Sequence, residues 1–222
     1  VVAPEGPQGA RDAANTEWQR DLSVSHDRIG DVLGAQGDGP GALAAYRKRH
    51  DIGEALAARD PANTEWQRDL SVSHNKIGDV LRAQGDGPGA LAAYRKGLAI
   101  AEALAACDPA NTGWQRDLSV SHDRVGDVLR AQGDGPGALA AYRNSLAIRE
   151  ALAARDPVNA QWQTDLAVSC AKLGSHPGLE IDARRDFLRR GLAILQRLKD
   201  AGRLMPSQDW TGGLSAALAR LP

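Results

Sequence analysis

One nonapeptide, Trp-Gln-Arg-Asp-Leu-Ser-Val-Ser-His, opens at Trp18, again at Trp66 and again at Trp114, and survives in part at Trp162. The four tryptophans stand 48 residues apart, and Trp210 falls at the same interval once more although its surroundings have changed. Self-similarity at a fixed period of a few tens of residues restricts a chain to architectures built by stacking one supersecondary unit. Residues 108–155 differ from 60–107 at only eight positions: Glu65/Gly113, Asn75/Asp123, Lys76/Arg124, Ile77/Val125, Lys96/Asn144, Gly97/Ser145, Ala101/Arg149 and Cys107/Arg155. Such near-identity means that each copy meets nearly the same neighbours. Stacked helix pairs satisfy that condition, because a lone pair leaves much of its apolar surface wet.

The second unit shows the pattern in full. Asp60-Pro61-Ala62-Asn63 is a break, and Thr64 with Gln67 has the spacing of a capping box. Trp66, Leu70, Ser73, Ile77, Val80, Leu81 and Gln84 then recur at steps of three and four, which predicts an amphipathic helix A over 64–84. Gly85-Asp86-Gly87-Pro88 ends it and caps a helix B over 87–106, whose stripe is Leu91, Tyr94, Leu98, Ala101 and Leu104 beside Ala90. No stretch alternates with the period of two that strands require. In unit one, His50, Asp51 and Gly53 replace Leu98, Ala99 and Ala101, so that helix B is expected to be the weakest. In unit four, Ala160 replaces the cap threonine and Leu173-Gly174-Ser175-His176-Pro177-Gly178 cuts helix A short, with helix B restarting near 180–182 and ending near 201. A last helix begins at Ser207-Gln208-Asp209-Trp210 and reads as a cap over an otherwise open end. The resulting division is 1–14 as the tail of a preceding unit or a linker, repeats at 15–62, 63–110 and 111–158, a divergent repeat at 159–205, and a capping helix at 206–222.

Ile77-Gly78, Gly85, Ala90 and Tyr94, with their counterparts Ile29, Gly30, Gly37, Ala42, Tyr46 and Val125, Gly126, Gly133, Ala138, Tyr142, resemble the tetratricopeptide repeat family. The resemblance covers nearly the whole chain, strongly in three units and weakly in the fourth. It implies an all-α fold, a right-handed α-α superhelix of four helix pairs plus the capping helix, serving as a protein-protein interaction scaffold of bacterial type. The family repeat is about 34 residues long, so the 48 here predict longer helices. The family's terminal proline is also displaced, to Asp60-Pro61. HEAT repeats are nearer in length but lack the Gly, Ala and Tyr set.

By the same resemblance helix A lines a concave groove. Opposite its core stripe lie Arg68, Val72, Asn75, Asp79 and Arg82, matched by Arg20, Val24, Asp27, Asp31 and by Arg116, Val120, Asp123, Asp127, Arg130. The charged members of these rows are the expected contacts for a protein or peptide; the alternative is a solvated face. Some members of the family hold a chaperone's C-terminal carboxylate with Lys and Asn on helix A. The acids Asp31, Asp79 and Asp127 would repel it, so no such clamp is expected here.

No enzyme chemistry emerges. His26, His74 and His122 sit one to a helix and read as core residues rather than metal ligands, since stacked helices are about 10 Å apart. Gly-Asp-Gly-Pro-Gly lacks the strand and lysine of a phosphate loop and reads as a turn. The tryptophans are expected to pack on the preceding helix B as the chief bulky core groups. A net charge of -1 leaves no basic footprint for nucleic acid or an anionic membrane. Cys107 and Cys170 are each replaced in other repeats, so no structural disulfide is expected and a cytoplasmic, reducing setting fits. No metal or cofactor is called for. The remaining alternative to a scaffold is self-assembly, a homo-oligomer stacking end to end through the open first repeat.

Overall fold

The computed structural model describes the backbone of residues 5–222 and the side chains of residues 15–222. Helices follow one another as α1 (Glu5–Ala35), α2 (Gly39–Arg59), α3 (Thr64–Ala83), α4 (Gly87–Cys107), α5 (Thr112–Ala131), α6 (Gly135–Arg155), α7 (Ala160–Gly174), α8 (Ile181–Asp200), a 3-10 turn at Pro206–Gln208, and α9 (Thr211–Ala219). No strand occurs among the described residues, so the all-α class stands. The chain divides into two compact units, Val1–Leu104 and Ala105–Pro222. In the first, α1 packs on α2 and α2 on α3; in the second, α5, α6, α7, α8 and α9 each pack on the next.

Local chemistry explains the breaks. Between α1 and α2, between α3 and α4, and between α5 and α6, the chain reverses at Gly37, Gly85 and Gly133, with φ of 81°, 82° and 85°. Only glycine adopts that region without strain. Asp38, Asp86 and Asp134 follow, each accepting the backbone N–H of the glycine three residues on, which caps the next helix. The helix-A caps differ from the expected box. Asn63, Asn111 and Asn159, not the threonine, accept from the N–H groups of Trp66, Trp114 and Trp162. The glutamine does not return to the cap: Gln67 donates to the Pro61 carbonyl, Gln115 to that of Ala105 and Gln163 to that of Ala153. Ala160 therefore leaves α7 fully capped.

α1 shows no break between residues 12 and 16, where a tail and a repeat were expected to meet. Ala13 stands where Pro61, Pro109 and Pro157 stop the other helices, and alanine carries a helix that proline would end. The side chains of the tail, residues 1–14, lie outside the described residues. Farther on, α7 ends at Gly174 and α8 falls within a residue or two of its expected start and end, whereas the last helix starts at Thr211, not Ser207, because Pro206–Gln208 form a separate 3-10 turn.

Within each of the first three helix pairs a tyrosine is the large buried group. Tyr94 and Tyr142 are wholly buried and Tyr46 nearly so, beside the fully buried Ala42, Ala90 and Ala138. The rings lie against Gly30, Gly78 and Gly126; a Cβ on Gly126 would come within 2.7 Å of the Tyr142 ring. The tryptophans are less central than expected. Trp66, Trp114, Trp162 and Trp210 are half-buried, and Trp18 is 72% exposed because no described helix precedes α1 to cover it. At the other end α9 buries Leu214 against α8, where it meets Gly191.

Candidate partner-binding face

Helix A carries three rows that the sequence places on its outer side, and the structure separates them. The first is arginine. Arg20 reaches from α1 to Glu65 (3.2 Å) and Asp69 (4.0 Å) of α3, and remains exposed. Arg116 reaches from α5 to Asp165 of α7 with two bonds, Nε–Oδ2 at 2.6 Å and Nη2–Oδ1 at 3.3 Å. Asp165 raises the Arg116 pKa further, so the guanidinium stays charged. Each link joins one repeat's helix A to the next. Arg68, at the same position of α3, is exposed and has a polar or ionic partner of its own.

The second row, Asp27, Asn75 and Asp123, does not face outward, which corrects the expectation for these three. Asn75 and Asp123 are buried and Asp27 is half-buried. They share a stripe with Ser71, Gly78, Ser119 and Gly126, small residues that let helix B approach closely. Ser71 Oγ donates to the Gly97 carbonyl at 2.9 Å across that contact. Two of the three polar side chains meet an arginine from helix B of their own repeat. Arg49 Nε lies 3.3 Å from Asp27, and Arg149 Nη2 lies 2.8 Å from Asp123. Each arginine also bonds the next helix A: Arg49 donates to the Asp69 carbonyl and Ser73 Oγ, Arg149 to the Asp165 carbonyl and Ser169 Oγ. Burial pushes the Asp123 carboxyl above its ordinary pKa, and Arg149 and Lys172 pull it back.

The third row is Asp31, Asp79 and Asp127. Each accepts the phenol of its own repeat's tyrosine, from Tyr46, Tyr94 and Tyr142 at 2.6, 2.7 and 2.8 Å. Burial, then the adjacent carboxylate, drives all three phenols well above their usual pKa. Two of the acids also hold a lysine of the following repeat, Lys76 on Asp31 and Lys172 on Asp127. Lys76 lowers the Asp31 pKa, with the Tyr46 bond second. With lysines on Asp31 and Asp127, the repulsion of a ligand carboxylate expected from those two acids is offset. The outer face keeps Arg82 and Arg130, exposed in the last turns of α3 and α5, and half-buried Val72 and Val120.

The histidine column lies where a core reading puts it, with His74 and His122 buried and His26 half-buried. His50, which the sequence marks only as a weakening departure in helix B, joins this column. Its ring meets that of His74 edge-on at 4.6 Å between centroids. The signal was available, since His50 is the one imidazole in helix B at a position held by Leu98 and Leu146 elsewhere. Cys107 and Cys170 are free thiols, and burial lifts the Cys170 pKa to about 11.

Residues 73–105 and 123–157 match the tetratricopeptide repeat family. Solved structures agree on the fold. The crystal structure of BtubC (BKLC) from P. vanneervenii superposes with a TM-score of 0.69 at 16% identity, covering 99% of this chain and 84% of that one. A putative kinesin light chain with nearly identical TPR-like repeats from Podosopora anserina gives 0.58 at 16% identity, covering 89% and 84%. No curated protein sequence matches. Helix pairs of this kind, closed by glycine, alanine and tyrosine, define a repeat protein of the class that generally serves as a protein-protein interaction scaffold. Two stretches of this chain thus match the tetratricopeptide repeat family, and its fold is similar to that of solved tetratricopeptide-type repeat structures.

Proposed function

We propose that this chain is a non-enzymatic scaffold that binds a protein or peptide on the outer side of its helices A. The observation that supports the reading is the recurrence of an exposed arginine, Arg82 and Arg130, at one position of this face. In the first unit Arg68 and Arg82 flank Val72; in the second Arg116 and Arg130 flank Val120. Arg82 and Arg130 are the residues best placed to meet a ligand, with Asp79 and Asp127 beside them. Asp27, Asn75 and Asp123 serve the packing between helices instead. A ligand that suits this face carries acidic groups spaced by apolar ones. The test is capture of partners from a lysate by the whole chain and by the Arg82→Glu/Arg130→Glu variant. Both residues are exposed, so the variant should fold, and loss of a specific captured protein is the expected result. Identical capture by both proteins refutes the assignment of this face.

A second reading, self-assembly, is favoured by one observation. On α1, Trp18, Leu22, Ile29 and Val32 are all exposed, whereas their counterparts Trp66, Leu70, Ile77 and Val80 are half-buried. Gly53 of α2 lies against Leu70, so a helix B is what covers this face in the next repeat. Sedimentation over a wide concentration range decides: a strictly monomeric chain removes the assembly reading.

A further inference from the structure

Between α2, α3 and α4 lies a hollow of about 410 Å³. Its walls are Arg47, His50 and Asp51 of α2 and Gly89, Ala92, Ala93 and Lys96 of α4; α3 supplies only His74 and Ile77 at the base. It is thus lined mainly by helix-B side chains, apart from the helix-A rows. Its size falls within the range of small-ligand sites, about 300–1,000 Å³.

A polar departure in helix B lines the hollow. Where His50 and Asp51 stand, the second repeat has Leu98 and Ala99 and the third has Leu146 and Ala147. Leu146 is buried and Leu98 half-buried. A leucine at position 50 would extend the apolar core, whereas the imidazole leaves an open, polar wall.

Its electrostatics are one-sided. Arg49 and Lys76, close by in sequence and structure, are matched by Asp27 and Asp31. Arg47 and Lys96 make no ion pair among the described residues, and both are exposed at the rim. One acid, Asp51, lines the hollow, and its carboxylate lies 3.5 Å from His50 Nδ1. At the base, burial and then His50 and Lys96 hold the His74 pKa down to about 4, so its ring is a neutral polar group at physiological pH. Ile77, Ala92 and Ala93 give the base an apolar part. Two unmatched cations above an apolar floor are complementary to a carboxylate carried on an aliphatic residue.

We propose that this hollow is a single-copy binding site for an acidic, aliphatic segment of a partner protein. Arg47 and Lys96 hold the carboxylates, His50 bonds the ligand edge, and Ile77 with Ala93 receives the aliphatic side chain.

The full chain is titrated with the peptide acetyl-Asp-Leu-Glu-Leu while the imidazole signals of His50 and His74 are followed by NMR at pH 7. Saturable shifts of both rings are expected. The double reversal Arg47→Glu/Lys96→Glu should weaken binding at least ~10-fold, since it replaces two attractions by two repulsions at the rim. His50→Leu restores the residue of the second and third repeats, so it should fold and fill the hollow, abolishing the His74 shift. Added salt should weaken binding to the parent chain. The proposal is overturned if no saturable shift appears, if either variant binds as the parent does, or if the neutral peptide acetyl-Asn-Leu-Gln-Leu-amide binds equally well.

Discussion

The pair Asp123 and Arg149 permits a test in which the protein supplies its own control. Arg149 is 4% exposed and Asp123 6%. The guanidinium bonds Asp123 Oδ2 at 2.8 Å, Ser119 Oγ at 3.2 Å, and the Asp165 carbonyl and Ser169 Oγ at 3.0 Å each. Breaking a buried ion pair by removing one partner costs about 3–5 kcal/mol, because the other charge stays out of water. Asp123→Asn leaves Arg149 its three uncharged acceptors, so its cost should fall near the lower end, about 3 kcal/mol. Arg149→Ala should cost at least as much, since it strands the carboxylate and leaves a void where the side chain lay.

The second repeat has Asn75 and Ala101 at these two positions. The double variant Asp123→Asn/Arg149→Ala therefore installs a combination the chain already uses one repeat earlier. It should be more stable than the two single effects predict, with an interaction energy of at least about 2 kcal/mol. Urea unfolding followed by far-UV circular dichroism reads all four proteins; for a chain of this length about 3 kcal/mol corresponds to a Tm loss of roughly 6–12 °C. If the double variant is as unstable as the sum of the single variants, within about 0.5 kcal/mol, the pair is not coupled and the reasoning fails.

Four further outcomes follow from the same contacts. Gly126→Ala should destabilise by several kcal/mol, because its Cβ would enter the Tyr142 ring at 2.7 Å, whereas the same change at exposed Gly113 should be neutral or slightly stabilising; thermal melts distinguish them. Asn111→Ala should cost about 1 kcal/mol through the lost helix cap, and Thr112→Ala markedly less, which urea midpoints will show. Trp114→Ala should cost less than the 3–5 kcal/mol typical of a core tryptophan, since the ring is half-buried, and a melt losing more than Tyr142→Ala would contradict this. The His74 pKa is lowered in the fold to about 4 from 6.5. Between those values the unfolded chain binds more protons, so stability from this group is complete above about pH 6.5 and is lost as pH falls toward 4; His74→Gln should flatten that part of the stability-pH curve.

Much of the fold was legible because its signals are local. The break chemistry, Gly85 then Asp86 and Pro88, places the end of α3 and the start of α4 without any knowledge of neighbours, and the 48-residue recurrence places the rest. The candidate face was legible only in part. Spacing alone puts Asn75 and Asp123 opposite Leu70 and Ile77, and polarity suggests water. What decides their burial is the size of Ser71 and Gly78, which draws helix B onto that side. A helix with two packed faces has its polar residues shared between solvent and neighbour, and periodicity cannot say which. The tryptophans were overrated for the converse reason, as bulk suggested a core place that the tyrosines occupy.

Arg49 and Arg149 show how the departures between repeats should be read. They occupy different positions of helix B: Arg49 corresponds to Gly97 and Ser145, and Arg149 to Gly53 and Ala101, one turn apart. Yet their guanidinium groups end at equivalent places, each between an aspartate of its own helix A and a carbonyl and serine of the next. Where the helix-A residue is Asn75, neither position carries an arginine. The conserved quantity is therefore charge balance in a buried space, not the residue at a site. This rule separates departures that answer a neighbour from those that do not. Arg49 answers Asp27; His50, next to it in sequence, has only its own neighbour Asp51 as a charged counterpart and lines a hollow instead. A substitution that balances nothing within the fold is the place to look for something outside it.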